Sequence, residues 1–139
     1  MIQFTVYGEP AAQGRPRATQ VGGFIRMYDP SKSSDYKDYV RLVAGEKAPD
    51  ALLEGPVGMV LHVYRSIPKS FSKKKTVAAE AGEIRPTSKP DADNYLKGVK
   101  DALKGVIWRD DSQVVEVLVT KRYSVRPRIE VKIKDLSQK

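Results

Sequence analysis

Val57-Gly58-Met59-Val60-Leu61-His62-Val63-Tyr64-Arg65-Ser66-Ile67 follows Gly55-Pro56 and is nearly continuous in apolar and β-branched residues. Such a run reads as a strand buried on both faces, so it is expected at the centre of a sheet. Three further segments supply its neighbours. Ile2, Phe4 and Val6 alternate with Gln3, Thr5 and Tyr7 until Gly8-Glu9-Pro10 ends the pattern, as a half-buried strand requires. Val114 to Tyr123 and Arg128 to Leu136 form two more strands around Arg126-Pro127. In the last of them Ile129, Val131 and Ile133 alternate with Glu130, Lys132 and Lys134, leaving one face solvated.

Helices fill the gaps. Ser31 or Ser33 can cap a helix running to about Gly45, with Tyr36, Tyr39, Val40 and Val43 as the face laid against the sheet. A short helix is expected over Thr76 to Ala81, after the basic run Lys73-Lys74-Lys75. Another is expected from Asp91 to about Lys104, with Leu96, Val99 and Leu103 buried and Gly105 at its C-terminal end. The stretch Ala11 to Arg26, with Gly14-Arg15-Pro16-Arg17 and Gly22-Gly23, suits a mobile surface loop. The order β, α, β, α, α, β, β makes an α/β chain of the α+β kind, a mixed β-sheet covered by helices. At 139 residues it is expected to be one small domain spanning 1–139.

Composition narrows the chemistry. There is no cysteine, and His62 is the one histidine, so thiolate nucleophiles, disulfides and multi-histidine metal sites are excluded. His62, inside the expected central strand, reads as a core or near-core residue. Any metal must be held by oxygen, which favours Mg²⁺ or Mn²⁺. No stretch approaches the roughly 18 apolar residues of a membrane span, and Met1 to Thr5 shows no secretory pattern, so a cytoplasmic protein without a membrane partner is expected. A net charge of +8 and a pI near 9.7 suit nucleic acid, although anionic membranes or acidic proteins would satisfy charge alone.

Against that basic background Asp91, Asp93, Asp101, Asp110 and Asp111 gather within 22 residues, beside Lys97, Lys100, Lys104 and Arg109. Capping explains Asp91 and Asp93 at a helix start, and i to i+4 pairing of Asp93, Lys97 and Asp101 explains a solvated ladder worth about 0.3–0.5 kcal/mol per pair. Metal-dependent phosphodiester cleavage explains the same residues: aspartate oxygens hold Mg²⁺ and a lysine adds positive charge at the phosphate. An EF-hand is excluded, because Leu96 and Ala102 stand where glycine and glutamate would be needed. A metal-nucleotide transferase would want a phosphate loop, for which Gly22-Gly23 is a weak candidate.

The ordered runs Lys89-Pro90-Asp91-Ala92-Asp93-Asn94-Tyr95-Leu96-Lys97, Asp101-Ala102-Leu103 and Trp108-Arg109-Asp110-Asp111-Ser112-Gln113-Val114-Val115 resemble the RusA-type Holliday-junction resolvases. Arg15-Pro16-Arg17, Tyr28-Asp29-Pro30 and Tyr36 are similar to weaker N-terminal features of that family. The resemblance implies a homodimeric Mg²⁺-dependent endodeoxyribonuclease that makes paired cuts in four-way DNA junctions, in bacteria and often in their prophages. It further implies that Asp91, Asp93 and Asp111 are metal-binding catalytic carboxylates and Lys97 the catalytic lysine. Asp110 is the ambiguous neighbour; Asn94 and Asp101 are expected to give support. Arg15, Arg17, Lys73, Lys74 and Lys75, in segments read as surface loops, are the candidate DNA phosphate contacts. Phe71 could stack on an unpaired base or anchor the loop locally. A DNA-binding protein without catalysis is the competing reading.

Overall fold

The computed structural model describes residues 1–12, 17–21, 24–28 and 31–137, with backbone alone between 17 and 33. The run from Val57 forms strand β4, Val57–Ser66. With β1 (Ile2–Tyr7), β5 (Val114–Ser124) and β6 (Arg128–Asp135) it makes a four-stranded sheet in the order β1-β6-β4-β5. β4 is interior, as its composition demands. β6 pairs antiparallel with both β1 and β4, while β5 runs parallel to β4, so the sheet is mixed. A parallel neighbour needs a crossover, and helices α2 (Lys73–Glu80) and α3 (Ala92–Leu103) supply it.

One face of the sheet is dry. Phe4, Val6, Met59, Leu61, Val63, Ile129, Val131 and Ile133 meet Val40 and Ala44 of α1 (Ser31–Gly45) and Tyr95, Val99, Ala102 and Leu103 of α3 in a single core. On the other face Val60, His62 and Tyr64 are half-buried and Lys132 and Lys134 are exposed. β4 is therefore buried fully on one face only, against the expectation of two. Its outward residues lie between charged strands rather than under a second layer, and Arg128 covers the Tyr64 ring at 3.9 Å. This is a single small α+β domain.

Several details differ from the sequence reading. The expected loop from Ala11 to Arg26 contains a hairpin, β2 (Arg17–Val21) with β3 (Phe24–Tyr28), in which Val21 pairs with Phe24. Gly22-Gly23, the weak phosphate-loop candidate, lies outside the described residues. α2 starts at Lys73, because the Ser72 hydroxyl accepts from the Lys75 backbone N–H at 3.2 Å and caps it three residues early. The three lysines are thus the exposed first turn of a helix, not a loop. Tyr39 is 42% exposed on α1, whose buried residues among those described are Val40 and Ala44. β5 and β6 are consecutive yet not paired, since β4 separates them.

His62 stands on the half-buried face with Nδ1 2.6 Å from the Thr120 hydroxyl. Burial lowers its pKa below the ordinary 6.5; Glu130 opposes the shift, whereas Arg122 and Lys132 reinforce it. A depressed histidine favours the neutral ring in the folded state, so this residue's contribution to stability is lost as pH falls through 6.5 and below. As the only histidine it gives a single ring C2–H resonance, whose titration midpoint by proton NMR is expected below 6.5. A midpoint at or above that value would contradict the assignment.

Candidate active site

α3 begins where the sequence places it. Asp91 is the N-cap residue with extended backbone, φ −69° and ψ 156°, and Asp93 lies in the first turn. The helix ends at Leu103, and Gly105 then adopts φ +81°, a left-handed conformation that glycine takes without strain. Its dry stripe is Tyr95, Val99, Ala102 and Leu103, with the small Gly98 beside it. Leu96, expected in that stripe, is only half-buried. It lies instead on the adjoining helix face, where Asp93, Lys97 and Lys100 recur at four- and three-residue steps.

That face opens into a pocket lined by Asp93, Leu96, Lys97, Lys100, Asp101 and Asp111. Asp111 arrives from another element, the 3₁₀ turn Asp111–Gln113 that leads into β5. Two successive elements thus bring two of the three expected carboxylates and the expected lysine to one pocket. Asp91 stands at the helix mouth and is not part of this lining.

The hydrogen-bonded part of the structural explanation for these aspartates is not realised, although Asp91 holds the N-cap position and Asp93 the first turn, where the helix dipole favours their charge. The Asp91 side chain makes no capping hydrogen bond. Among the described residues the ion pairs are Lys37 with Asp101, Lys104 with Asp110, Arg109 with Glu54 and Arg128 with Glu130; Asp93, Lys97 and Asp111 are in none of them. Asp101 is occupied differently. It pairs with Lys37 of α1 at 3.5 Å, while Arg41 donates to the Ala102 and Asp101 carbonyls and fixes the end of α3.

Hydrogen bonding distinguishes the two adjacent aspartates. Asp110 caps the 3₁₀ turn: its carboxylate accepts from the Ser112 N–H and hydroxyl, and the Gln113 side chain accepts from the Asp110 N–H at 2.8 Å. The bonds from Ser112, with Lys104 nearby, hold the Asp110 carboxyl below its ordinary pKa. Asp111 is left to face the pocket, with one oxygen, Oδ1, accepting from Trp108 Nε1 at 2.9 Å.

The segment before Asp91 is anchored as well. Lys121 Nζ on β5 donates to the Ser88 and Pro90 carbonyls at 3.0 and 2.9 Å, and Arg65 Nη1 donates to the Ser88 carbonyl at 3.3 Å. Lys100, Lys121 and Arg65 had no assigned role from sequence, and Trp108 was read only as packing. Only Lys100 was legible there, three residues past Lys97 on the same helix face.

Among the described residues no three acidic or histidine side chains converge as they stand to hold a metal ion. The donor chemistry of the pocket is nevertheless that of a hard cation: the carboxylates of Asp93 and Asp111, with Asp101 also in the lining but paired to Lys37, and no sulfur or imidazole. Mg²⁺ is commonly bound by one or two carboxylates, with water and substrate oxygens completing its octahedron.

A family model described as Endodeoxyribonuclease RusA matches residues 7–134, which takes in every element above except β1 before Tyr7 and the last residue of β6. The chain belongs to the RusA endodeoxyribonuclease family. The chain is also similar to the uncharacterized protein YqaN of Bacillus subtilis (strain 168), 56% identical over 138 residues, which cover 98% of this chain and 97% of that protein. RusA membership supports a nuclease. Among the described residues, no helix is long and apolar enough to cross a membrane.

The candidate DNA contacts are only partly visible. Lys73, Lys74 and Lys75 project from the first turn of α2, whose helix dipole adds positive potential at that end. Arg15 and the side chain of Arg17 lie outside the described residues. Phe71 packs edge-on to Tyr123 at 5.7 Å under Lys75, whose Nζ lies 4.5 Å from the ring centre, so in this structure it is a local anchor.

Proposed function

We propose that this RusA-family protein is a Mg²⁺-dependent endodeoxyribonuclease that resolves four-way DNA junctions by paired cuts. The observation that carries the reading is the pocket shared by Asp93, Lys97 and Asp111, whose charges are not consumed by ion pairs among the described residues. Asp93 and Asp111 would hold Mg²⁺, with Mn²⁺ as a substitute and Asp91 added from the helix mouth. When bound, the ion supplies charge stabilisation at the scissile phosphate. Lys97 and Lys100 rise from consecutive turns on the same side. Their ammonium groups are placed to attract the phosphate and to stabilise charge that grows on its oxygens during cleavage.

The basic remainder of the chain suits a polyanion, and Lys73, Lys74 and Lys75 would fix the backbone without reading sequence. A homodimer would present the same site to two symmetric strands, which is what paired cutting needs. A cytoplasmic setting in a bacterial or phage-infected cell follows from the same reading.

Incubating the protein with a synthetic four-way junction is expected to give paired nicks in Mg²⁺ and none in EDTA. A protein that shifts the junction in a salt-sensitive way yet never nicks it, with or without Mg²⁺, would instead be a DNA-binding protein without catalysis.

A further inference from the structure

We propose that Trp108 is a positioning residue for Asp111: its indole N–H fixes the carboxylate so that Oδ1 is committed and Oδ2 is presented to the pocket. The inference rests on the reading of Asp111 as a metal-holding group. It begins from a rigid frame. Trp108 is fully buried in the core, and its carbonyl accepts from the Gly105 N–H at 2.7 Å. One residue earlier, the Ile107 carbonyl accepts from the Leu53 N–H at 2.8 Å. The indole ring is thus held by packing and its backbone by neighbours on both sides. Its single polar atom can only donate, and a buried donor without a partner is costly, so the 2.9 Å bond to Asp111 Oδ1 is the arrangement the fold enforces.

The turn around Asp111 is locked in the same way. Gln113 Nε2 donates to the Leu53 and Gly55 carbonyls at 2.8 and 3.0 Å, while its Oε1 accepts from the Arg109 and Asp110 N–H groups. Asp110 is spent on capping. The remaining freedom near the pocket is rotation of the Asp111 carboxylate, and Trp108 removes it. Partners of this kind behind a metal ligand commonly alter metal affinity about 10- to 100-fold.

Trp108→Phe keeps a buried ring and deletes the donor. The variant is expected to need about 10- to 100-fold more Mg²⁺ for half-maximal junction cleavage, with saturating Mg²⁺ restoring much of the loss. An unchanged Mg²⁺ dependence would overturn the proposal. The wild type offers a second readout that does not depend on activity or on the variant's folding. Trp108 is the only tryptophan, so it gives one indole N–H resonance. That resonance is expected to shift on titration with Mg²⁺ alone, and not to respond in Asp111→Asn. If junctions are cut while the indole resonance ignores Mg²⁺, the positioning role is wrong and the nuclease reading stands. If Mg²⁺ moves the resonance but no DNA is cut, the positioning role stands and the nuclease reading falls.

Discussion

Asp111→Asn is expected to leave a folded protein that still grips branched DNA but cleaves it roughly 10³-fold more slowly, the scale of losing one transition-state electrostatic group. Asparagine has nearly the same shape and keeps an oxygen for the Trp108 N–H, so the 3₁₀ turn and the start of β5 need not move. What disappears is one of the pocket's negative charges that no ion pair among the described residues takes up, in the lining shared with Lys97 and Lys100. Asp93→Asn should behave alike, with an added helix cost of about 0.3–1 kcal/mol because its charge sits in the first turn of α3. Binding should hold or tighten slightly, since each change removes negative charge from a surface that meets a polyanion. The control is Asp110→Asn, which touches the neighbouring carboxylate but retains a capping oxygen for Ser112. It is expected to cut normally. A gel measuring nicked product from one junction, with all three variants at equal Mg²⁺, decides the matter; equal rates for Asp111→Asn and the wild type would remove the assignment.

The contrast between Asp110 and Asp111 also marks what the sequence could carry. Their adjacency was visible and the resemblance named Asp111; the reason it is Asp111 that lines the pocket was not visible, because it depends on Ser112, Gln113 and Trp108 acting together in one short turn. α3 was legible in position and polarity, since its cap residue, periodicity and terminal glycine are local signals. Its buried stripe was misread by one position at Leu96, where the pocket removes the helix cover that periodicity alone assumes. α2 was misplaced because three lysines in a first turn are opposed by the helix dipole, and the Ser72 cap offsets this. The hairpin of β2 and β3 was missed when glycines were read only as breakers. Strand order was beyond local pattern altogether: the insertion of β4 between β5 and β6 is a long-range pairing, and no periodicity records it. The candidate site followed the same division. Asp93, Lys97 and Asp111 could be named from spacing and resemblance, whereas the uncommitted state of their charges is a tertiary property.

Leu61→Ala is expected to lower unfolding stability by about 2–5 kcal/mol, a large share of the roughly 5–15 kcal/mol a domain of this kind has. Leu61 is fully buried in β4, in register with Val131 on β6 and Val119 on β5. Backbone hydrogen bonds on both sides hold these three strands apart, so the cavity left by the missing methyl groups cannot close by drawing them together. The lost burial and the residual void therefore add. Leu118 on β5 provides the comparison. It is one position from Val119 on the same strand but 55% exposed, and Leu118→Ala is expected to change stability by no more than about 0.5 kcal/mol. Urea unfolding followed by circular dichroism reads both, with the Leu61→Ala midpoint falling at an unchanged slope. Similar midpoints for the two variants would mean that β4 is not the centre of the core. The effect should reach the site as well, because β5 takes its position from β4 and carries both the exit from the Asp111 turn and Lys121, which holds the Ser88 and Pro90 carbonyls just ahead of Asp91. Loosening β4 slackens both sides of the pocket at once, so Leu61→Ala should lose cleavage at temperatures well below its own unfolding midpoint, whereas Leu118→Ala should keep cutting up to its own.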